Sequence, residues 1–209
     1  MPPLKPADVP AILAKRAPGQ PLELEIGCGN GHFLEAYCSR NPSVLYIGVE
    51  IKAGRCEKAH RKIERRGLPH AYVVEGRAEE LLPFLPESSV DVIHLYFPDP
   101  WPKSRHRRRR FLRMPNLDRL AGILAPNGKI LFATDFFDYY LHTKLLFALH
   151  PDLEPTGGEV SHEIFASVFG RRFLDLGKKV RVTAARRRPV DQGGSPHSET
   201  SLARPPTNE

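Results

Sequence analysis

The 209-residue chain is short of cysteine, of long apolar stretches and of acidic side chains. Its three cysteines, Cys28, Cys38 and Cys56, are odd in number and show no C-x-x-C pair. That excludes a disulfide framework and gives no zinc-type ligand spacing, so no metal is expected. It also fits a reducing compartment. No apolar run approaches the ~18 residues of a membrane span. The first residues, "MPPLKPADVPAILAKR", are broken by prolines and lack the apolar core of a signal peptide. The expectation is a cytoplasmic protein with no membrane partner. Acidic residues number 24 against 31 Lys and Arg, a net charge of +7 and a pI near 9.5. Such an excess favours polyanionic partners, nucleic acid above all, although a generally basic surface reads the same way in composition alone.

What is present is a 41% apolar fraction, enough for one domain with a real core. Residues 1–20 carry several prolines and read as a loosely held arm. From residue 21 apolar runs alternate with helix-like segments. Strands are expected at 22–26 ("LELEI"), 44–50, 71–74, 90–97, 129–134 and 178–184. Helices are expected at 32–40, 53–66, about 110–121 and 139–150, the second stopped by Gly67. Alternation of this kind predicts right-handed βαβ crossovers and a parallel α/β sheet covered on both faces. The domain is expected to close at residue 185. The segment 186–209 is polar and rich in Pro, Gly and Ser, a composition that cannot offset its ordering entropy, and it is expected to be disordered.

"LEIGCGNGHF" sets Gly27, Gly29 and Gly31 directly after the first strand. Glycines there let the backbone turn tightly and approach a ligand, and the following helix offers unpaired N–H groups. Glu50 ends the second strand at the distance from this turn where an acid holds ribose hydroxyls. The spacing G-x-G-x-G differs from the G-x-G-x-x-G of pyrophosphate binders. Glu25 lies near the end of a central strand, where an unpaired carboxylate is costly. A cationic ligand such as S-adenosylmethionine suits it, whereas a pyrophosphate would be repelled. Glu23 lies deeper on the same face and reads as structural.

"FPDPWPKSRHRRRR" follows the fourth strand, whose end opens on the same edge as the glycine turn. Prolines on both sides of Asp99, and after Trp101, predict that both residues are extended and stiff. The run Lys103, Arg105, His106, Arg107, Arg108, Arg109 and Arg110 supplies a phosphate-binding surface, or else an ordinary solvated face. Trp101 could stack on a base; Phe97 reads more readily as core. His32 and His94 read as structural. Lys178, Lys179, Arg181 and Arg186–Arg188 form a second basic cluster.

These blocks, together with "IGVE" and an "ATD" followed by tyrosines, resemble the bacterial tRNA (guanine-N7-)-methyltransferases over roughly residues 20–150. The resemblance implies the class I methyltransferase fold, a Rossmann-like three-layer sandwich with a mostly parallel sheet of about seven strands. It implies S-adenosylmethionine as cofactor and methylation of a guanine in the tRNA variable loop. It places Glu25, the glycine turn, Glu50 and Asp99 at the cofactor, with Asp99 also catalytic. Lys103, Asp135 and Glu163 match substrate-binding positions. Arg77 stands where the family has an acidic or amide residue, which leaves a backbone contact to the adenine at Arg77 and Ala78. The family's Thr-x-x-Glu is departed from: Val160 occupies the threonine position, Ser161 follows, and Glu163 matches the glutamate.

Guanine N7 has no proton to lose, so its methylation needs alignment and charge stabilisation, with no obligatory base. Asp99 suits that task, and Asp135 is the second candidate for the base edge, or a helix N-cap. Stacking would offset part of the cost of extracting the base. The alternatives are a methyltransferase for another RNA base, an inactive RNA-binding module and, disfavoured by Glu25 and the glycine spacing, an NAD-dependent enzyme. Either a monomer or a homodimer is compatible with the sequence.

Overall fold

The structure is a computed structural model that describes residues 3–158, 161–167, 170–171, 175–177 and 179–189. Seven strands form one sheet in the order β3-β2-β1-β4-β5-β7-β6. They are β1 (Leu22–Ile26), β2 (Leu45–Glu50), β3 (Ala71–Glu75), β4 (Val90–Tyr96), β5 (Leu124–Thr134), β6 (Leu153–Thr156) and β7 (Arg181–Arg187). The first five are parallel, and β7 runs antiparallel to both β5 and β6. This is the class I methyltransferase arrangement. The apolar runs in β1, β2 and β4 sit where helices cover both faces of the sheet.

The helices are α1 (Val9–Leu13), α2 (His32–Arg40), α3 (Ala53–Arg66), α4 (Ala78–Leu81), α5 (Met114–Ile123) and α6 (Phe137–Leu149). Buried residues of α2 and α3 pack with Tyr46, Val73 and Tyr96 on one face. Those of α1, α4, α5 and α6 pack with Leu24, Ile47 and Ile93 on the other. Because side chains alternate along a strand, Glu23 and Glu25 share the α2–α3 face with Tyr46, His94 and Tyr96. His94 Nε2 lies 2.7 Å from Glu23 Oε2, and Tyr37 donates to Glu23 Oε1 at 3.2 Å. Glu23 is thereby paired inside the core and does not reach a ligand cleft.

The proline-rich N-terminal segment is not a loose arm. Pro6 and Pro10 sit in the first turns of short helical pieces, where a missing N–H costs nothing. Val9 and Ile12 are fully buried, Leu4 bridges Val74, and Lys5 pairs with Glu75 at 2.7 Å. The expected helix at 110–121 is displaced to 114–123, because residues 104–109 form a 3-10 helix first. Strand β6 carries Pro155, which hid it in the sequence. Strand β7 starts at Arg181 and continues through Arg187, past the expected domain limit. Arg186 pairs with Glu154 at 2.7 Å, and Arg187 donates to Ser88 at 2.8 Å and to the carbonyl of Leu124. These two arginines fasten the sheet edge and are not part of an open basic cluster. Val160, Lys178 and the tail from 190 onward lie outside the described residues.

Candidate active site

A cleft of about 550 Å³ opens at the C-terminal ends of β1, β2 and β4. It is lined by Glu25, Gly27, Gly29 and Glu50, by Arg77 and Ala78, and by Asp99, Trp101 and Arg109. The size is in the range of small-ligand sites.

The glycine turn is built by three left-handed residues, Gly27 (φ +81°), Gly29 (φ +56°) and Gly31 (φ +71°), a region that side chains rarely enter. Their uses differ. Gly27 and Gly29 line the cleft, whereas Gly31 does not. A Cβ on Gly31 would stand 2.6 Å from that of Ala59, so this glycine lets α2 close on α3. This packing role against Ala59 is one the spacing does not reveal.

Glu50 is buried, and both of its oxygens are already aimed by backbone. Oε2 accepts from Gly29 N at 3.0 Å and Oε1 from Lys52 N at 2.9 Å. Arg55 stands 3.8 Å away. Glu25 is equally buried and accepts one bond, from the Tyr46 hydroxyl at 3.2 Å. Burial pushes its carboxyl up to about 8, against the Tyr46 bond, with Glu50 adding to the rise. A buried carboxyl held in this state is poised to ionise beside a cation. His32 also lines the cleft, and burial followed by Lys62 and Arg171 lowers its pKa. At Arg77 the backbone N–H donates to Glu80 at 3.3 Å. Ala78 opens α4; the Arg77 carbonyl accepts from the N–H groups of Glu80 and Leu81, which leaves those of Ala78 and Glu79 at the helix start.

The loop after β4 departs from the extended geometry expected of it. Trp101 adopts φ +44°, as does Phe97 at +50°. Each bulky residue held there costs of order 1 kcal/mol or more, so the surroundings must hold it. Arg110 is one such restraint. Only 1% exposed, it donates from Nε to the Pro100 carbonyl at 2.9 Å and from its terminal nitrogen to Asp138 at 2.5 Å. Its guanidinium lies 4.7 Å over the Tyr139 ring. Arg110 therefore ties the loop to α6 and is not a phosphate ligand, contrary to its place in the basic run.

The remaining cations are displayed by the 3-10 helix Ser104–Arg109. Lys103, Arg105, Arg107, Arg108 and Arg109 are exposed. Arg107 is partly neutralised by Asp138 at 2.9 Å. Arg109 sits 4.9 Å over the Trp101 ring, and His106 meets that ring edge-on at 6.0 Å. Asp99 is exposed and lines the cleft with Glu25, Glu50 and Arg109.

Asp135 follows β5 and stands outside the cleft lining; its carbonyl accepts from Arg181 at 3.4 Å. The N-cap position of α6 falls on Phe136, the residue after it. Glu163 is not brought to the cleft either. It pairs with Arg40 at 2.5 Å at the far end of α2 and accepts from Ser161. Lys52, Arg55, Phe111 and Ser167 line the cleft without having been singled out in the sequence. Lys52 and Arg55 follow directly on Glu50, which was the available signal. Among the described residues no group of three His, Cys, Asp or Glu could hold a metal, and no helix is long and apolar enough to cross a membrane.

A family model described as "Putative methyltransferase" matches residues 19–180. The chain is 38% identical over 135 residues to a tRNA (guanine-N(7)-)-methyltransferase of Geobacter metallireducens, covering 64% of this chain and 63% of that one. It thus spans less than two thirds of that relative's length. A protein of the same description from Rhodopirellula baltica is 33% identical over 198 residues, covering 88% of this chain and 73% of that one. Among solved structures, the 16S rRNA methyltransferase KamB superposes with a TM-score of 0.65 at 18% identity, over 89% of this chain and 95% of that one. At that identity the likeness speaks for the fold.

Proposed function

The chain belongs to the tRNA (guanine-N(7)-)-methyltransferase family, and on that premise we propose that it methylates N7 of a guanine in the tRNA variable loop, using S-adenosylmethionine. The observation that carries the reading is the position of Asp99. Asp99 lines the same cleft as Glu25, Glu50 and the glycine turn, together with the exposed Arg109.

The donor set fits the cofactor. Glu50, aimed by two backbone N–H groups, would accept from ribose hydroxyls, and Glu25 would ionise against positive charge. When bound, S-adenosylmethionine supplies an electrophilic methyl group. The N–H groups at the start of α4, Ala78 among them, suit the adenine edge. Trp101, backed by Arg109 and His106, offers a stacking surface for an unstacked base. Asp99 accepts hydrogen bonds from the N1–H and amino group of guanine, which selects it over adenine. As N7 gains a bond the purine becomes cationic, and the same carboxylate stabilises that charge. No proton leaves N7, so no side chain is needed to remove one. Lys103, Arg105 and Arg107–Arg109 hold the backbone through phosphate contacts that carry no sequence information.

The test is incubation with an unmodified tRNA transcript and labelled S-adenosylmethionine, followed by mass analysis of the nucleosides. The expected product is 7-methylguanosine. Another methylated nucleoside would transfer the reading to a different base, and no product with tRNA still bound would indicate an RNA-binding module.

A further inference from the structure

Helix α3 carries a second row of cations, away from the loop that follows β4. Arg55, Lys58, Lys62 and Arg65 recur at spacings of three and four, with Arg61 and Arg66 beside them. At 3.6 residues per turn these six lie on one side of the helix. The acids of the same helix, Glu57 and Glu64, lie on the opposite flank with His60, which pairs with Glu64 at 3.1 Å. The two signs are segregated.

Stability alone does not ask for this. Lys58 with Lys62, Arg61 with Arg65, and Lys62 with Arg66 are like charges four residues apart, which destabilise a helix. One counter-charge serves three of them: Glu35 of α2 lies 3.9 Å from Lys62, 3.1 Å from Arg65 and 2.9 Å from Arg66. Lys58 and Arg61 are exposed and form no ion pair among the described residues. The row also has a direction. Lys52 and Arg55 line the cleft itself, and the others lead away from it down the α2–α3 face for about 15 Å, room for several backbone phosphates.

We infer that the basic flank of α3 is a second contact surface for the tRNA backbone, facing the nucleic acid from the cofactor side while residues 103–109 face it from the other. This rests on the reading of the chain as a tRNA methyltransferase. A nucleotide whose base enters the cleft has backbone on both sides, and each side then meets a positive wall. The loop wall lies next to the base. The α3 wall is more distant, so it contributes affinity and orientation and leaves the methyl transfer step itself unchanged.

The experiment compares wild type with the triple variant Lys58→Gln, Arg61→Gln, Arg65→Gln. A control, Arg119→Gln, Lys129→Gln, Lys144→Gln, removes the same charge from α5, β5 and α6. Binding of unmodified tRNA is measured against salt. The α3 variant should lose about 2–3 from the slope of log K against log salt, and the control much less. The KM for tRNA should rise about tenfold with kcat and S-adenosylmethionine affinity unchanged. If the triple variant melts early, the double variant Lys58→Gln, Arg61→Gln spares the Glu35 pairs and still predicts a loss of about 1–2 in slope. A wild-type slope retained in the α3 variant, or an equal loss in the control, overturns the inference and leaves the function intact. A wild-type protein that does not bind unmodified tRNA overturns both.

Discussion

On the cleft wall made by β1 and β2 two carboxyl groups are buried and fixed: Glu50 by two backbone N–H groups, Glu25 by the Tyr46 hydroxyl. On the wall made by the loop after β4 they are many and exposed, and the order is concentrated in the loop's frame, where Arg110 grips the Pro100 carbonyl. The first wall suits a small ligand recognised atom by atom. The second suits a long polyanion, for which each contact adds a similar increment and none is decisive. Asp99 stands where they meet. Changes on one wall should therefore leave the other's ligand alone, and Asp99 should affect chemistry more than either binding step.

Asp99→Asn gives the largest expected effect. It keeps the shape, removes the charge and turns one acceptor into a donor. Single-turnover methyl transfer should fall about 10²–10³-fold, the usual cost of losing one electrostatic stabiliser, while tRNA binding changes little. A rate within about threefold of wild type, under 1 kcal/mol of barrier, would show that Asp99 neither orients the base nor stabilises its charge.

Glu50→Ala removes a charge-assisted acceptor from the other wall. Calorimetry should show S-adenosylmethionine binding weakened about ten- to a hundredfold, corresponding to roughly 1.5–3 kcal/mol. The salt slope for tRNA should be unaffected; a change there would mean that the walls are coupled.

Acidity probes the first wall alone. The Glu25 carboxyl of the ligand-free protein sits up at about 8, chiefly through burial. A cationic ligand favours its ionised form, so binding at pH 7 should release close to one proton. Affinity should rise with pH, by up to about tenfold per unit, and level off above 8. The stability of the ligand-free protein runs the opposite way. Between pH 4.5 and 8 the folded state keeps a proton that the unfolded chain has lost, so this group's contribution declines as pH rises. Calorimetry in two buffers of different ionisation enthalpy measures the proton, and Glu25→Gln should abolish its release.

Replacing Arg107 and Arg109 by Ala should have the smallest effect. Arg107 is already shared with Asp138, so the salt slope should flatten by only about 1–2, with cofactor affinity unchanged. No change in slope would make the loop surface merely solvated.

The sequence disclosed the wall made by β1 and β2 more fully than the loop wall. Parallel strands are buried on both faces, so β1, β2 and β4 stand out as apolar runs, and the glycines and Glu50 mark their ends. The loop wall depends on where individual side chains turn. Arg110 looks like its neighbours in the run, yet the end of the 3-10 helix swings it into the core against Tyr139. Trp101 precedes a proline, which argues for extended backbone, but tertiary restraint holds it left-handed. Gly31 looked like part of the ligand turn because spacing cannot tell a close approach to a ligand from a close approach to Ala59. The N-terminal prolines read as a loosely held arm because a proline suits a loop as well as the first turn of a helix. Glu163 matched a motif by position, while the fold sends it to Arg40.

The most direct test of the chemistry replaces the nucleophile. In a tRNA transcript made with 7-deazaguanosine, N7 becomes a C–H and the edge facing Asp99 is unchanged. This RNA should bind like the ordinary transcript and receive no methyl group, while the guanosine transcript yields 7-methylguanosine under the same conditions. Methylation of the 7-deaza transcript would contradict the proposed reaction, because the accepting atom would then lie elsewhere on the RNA.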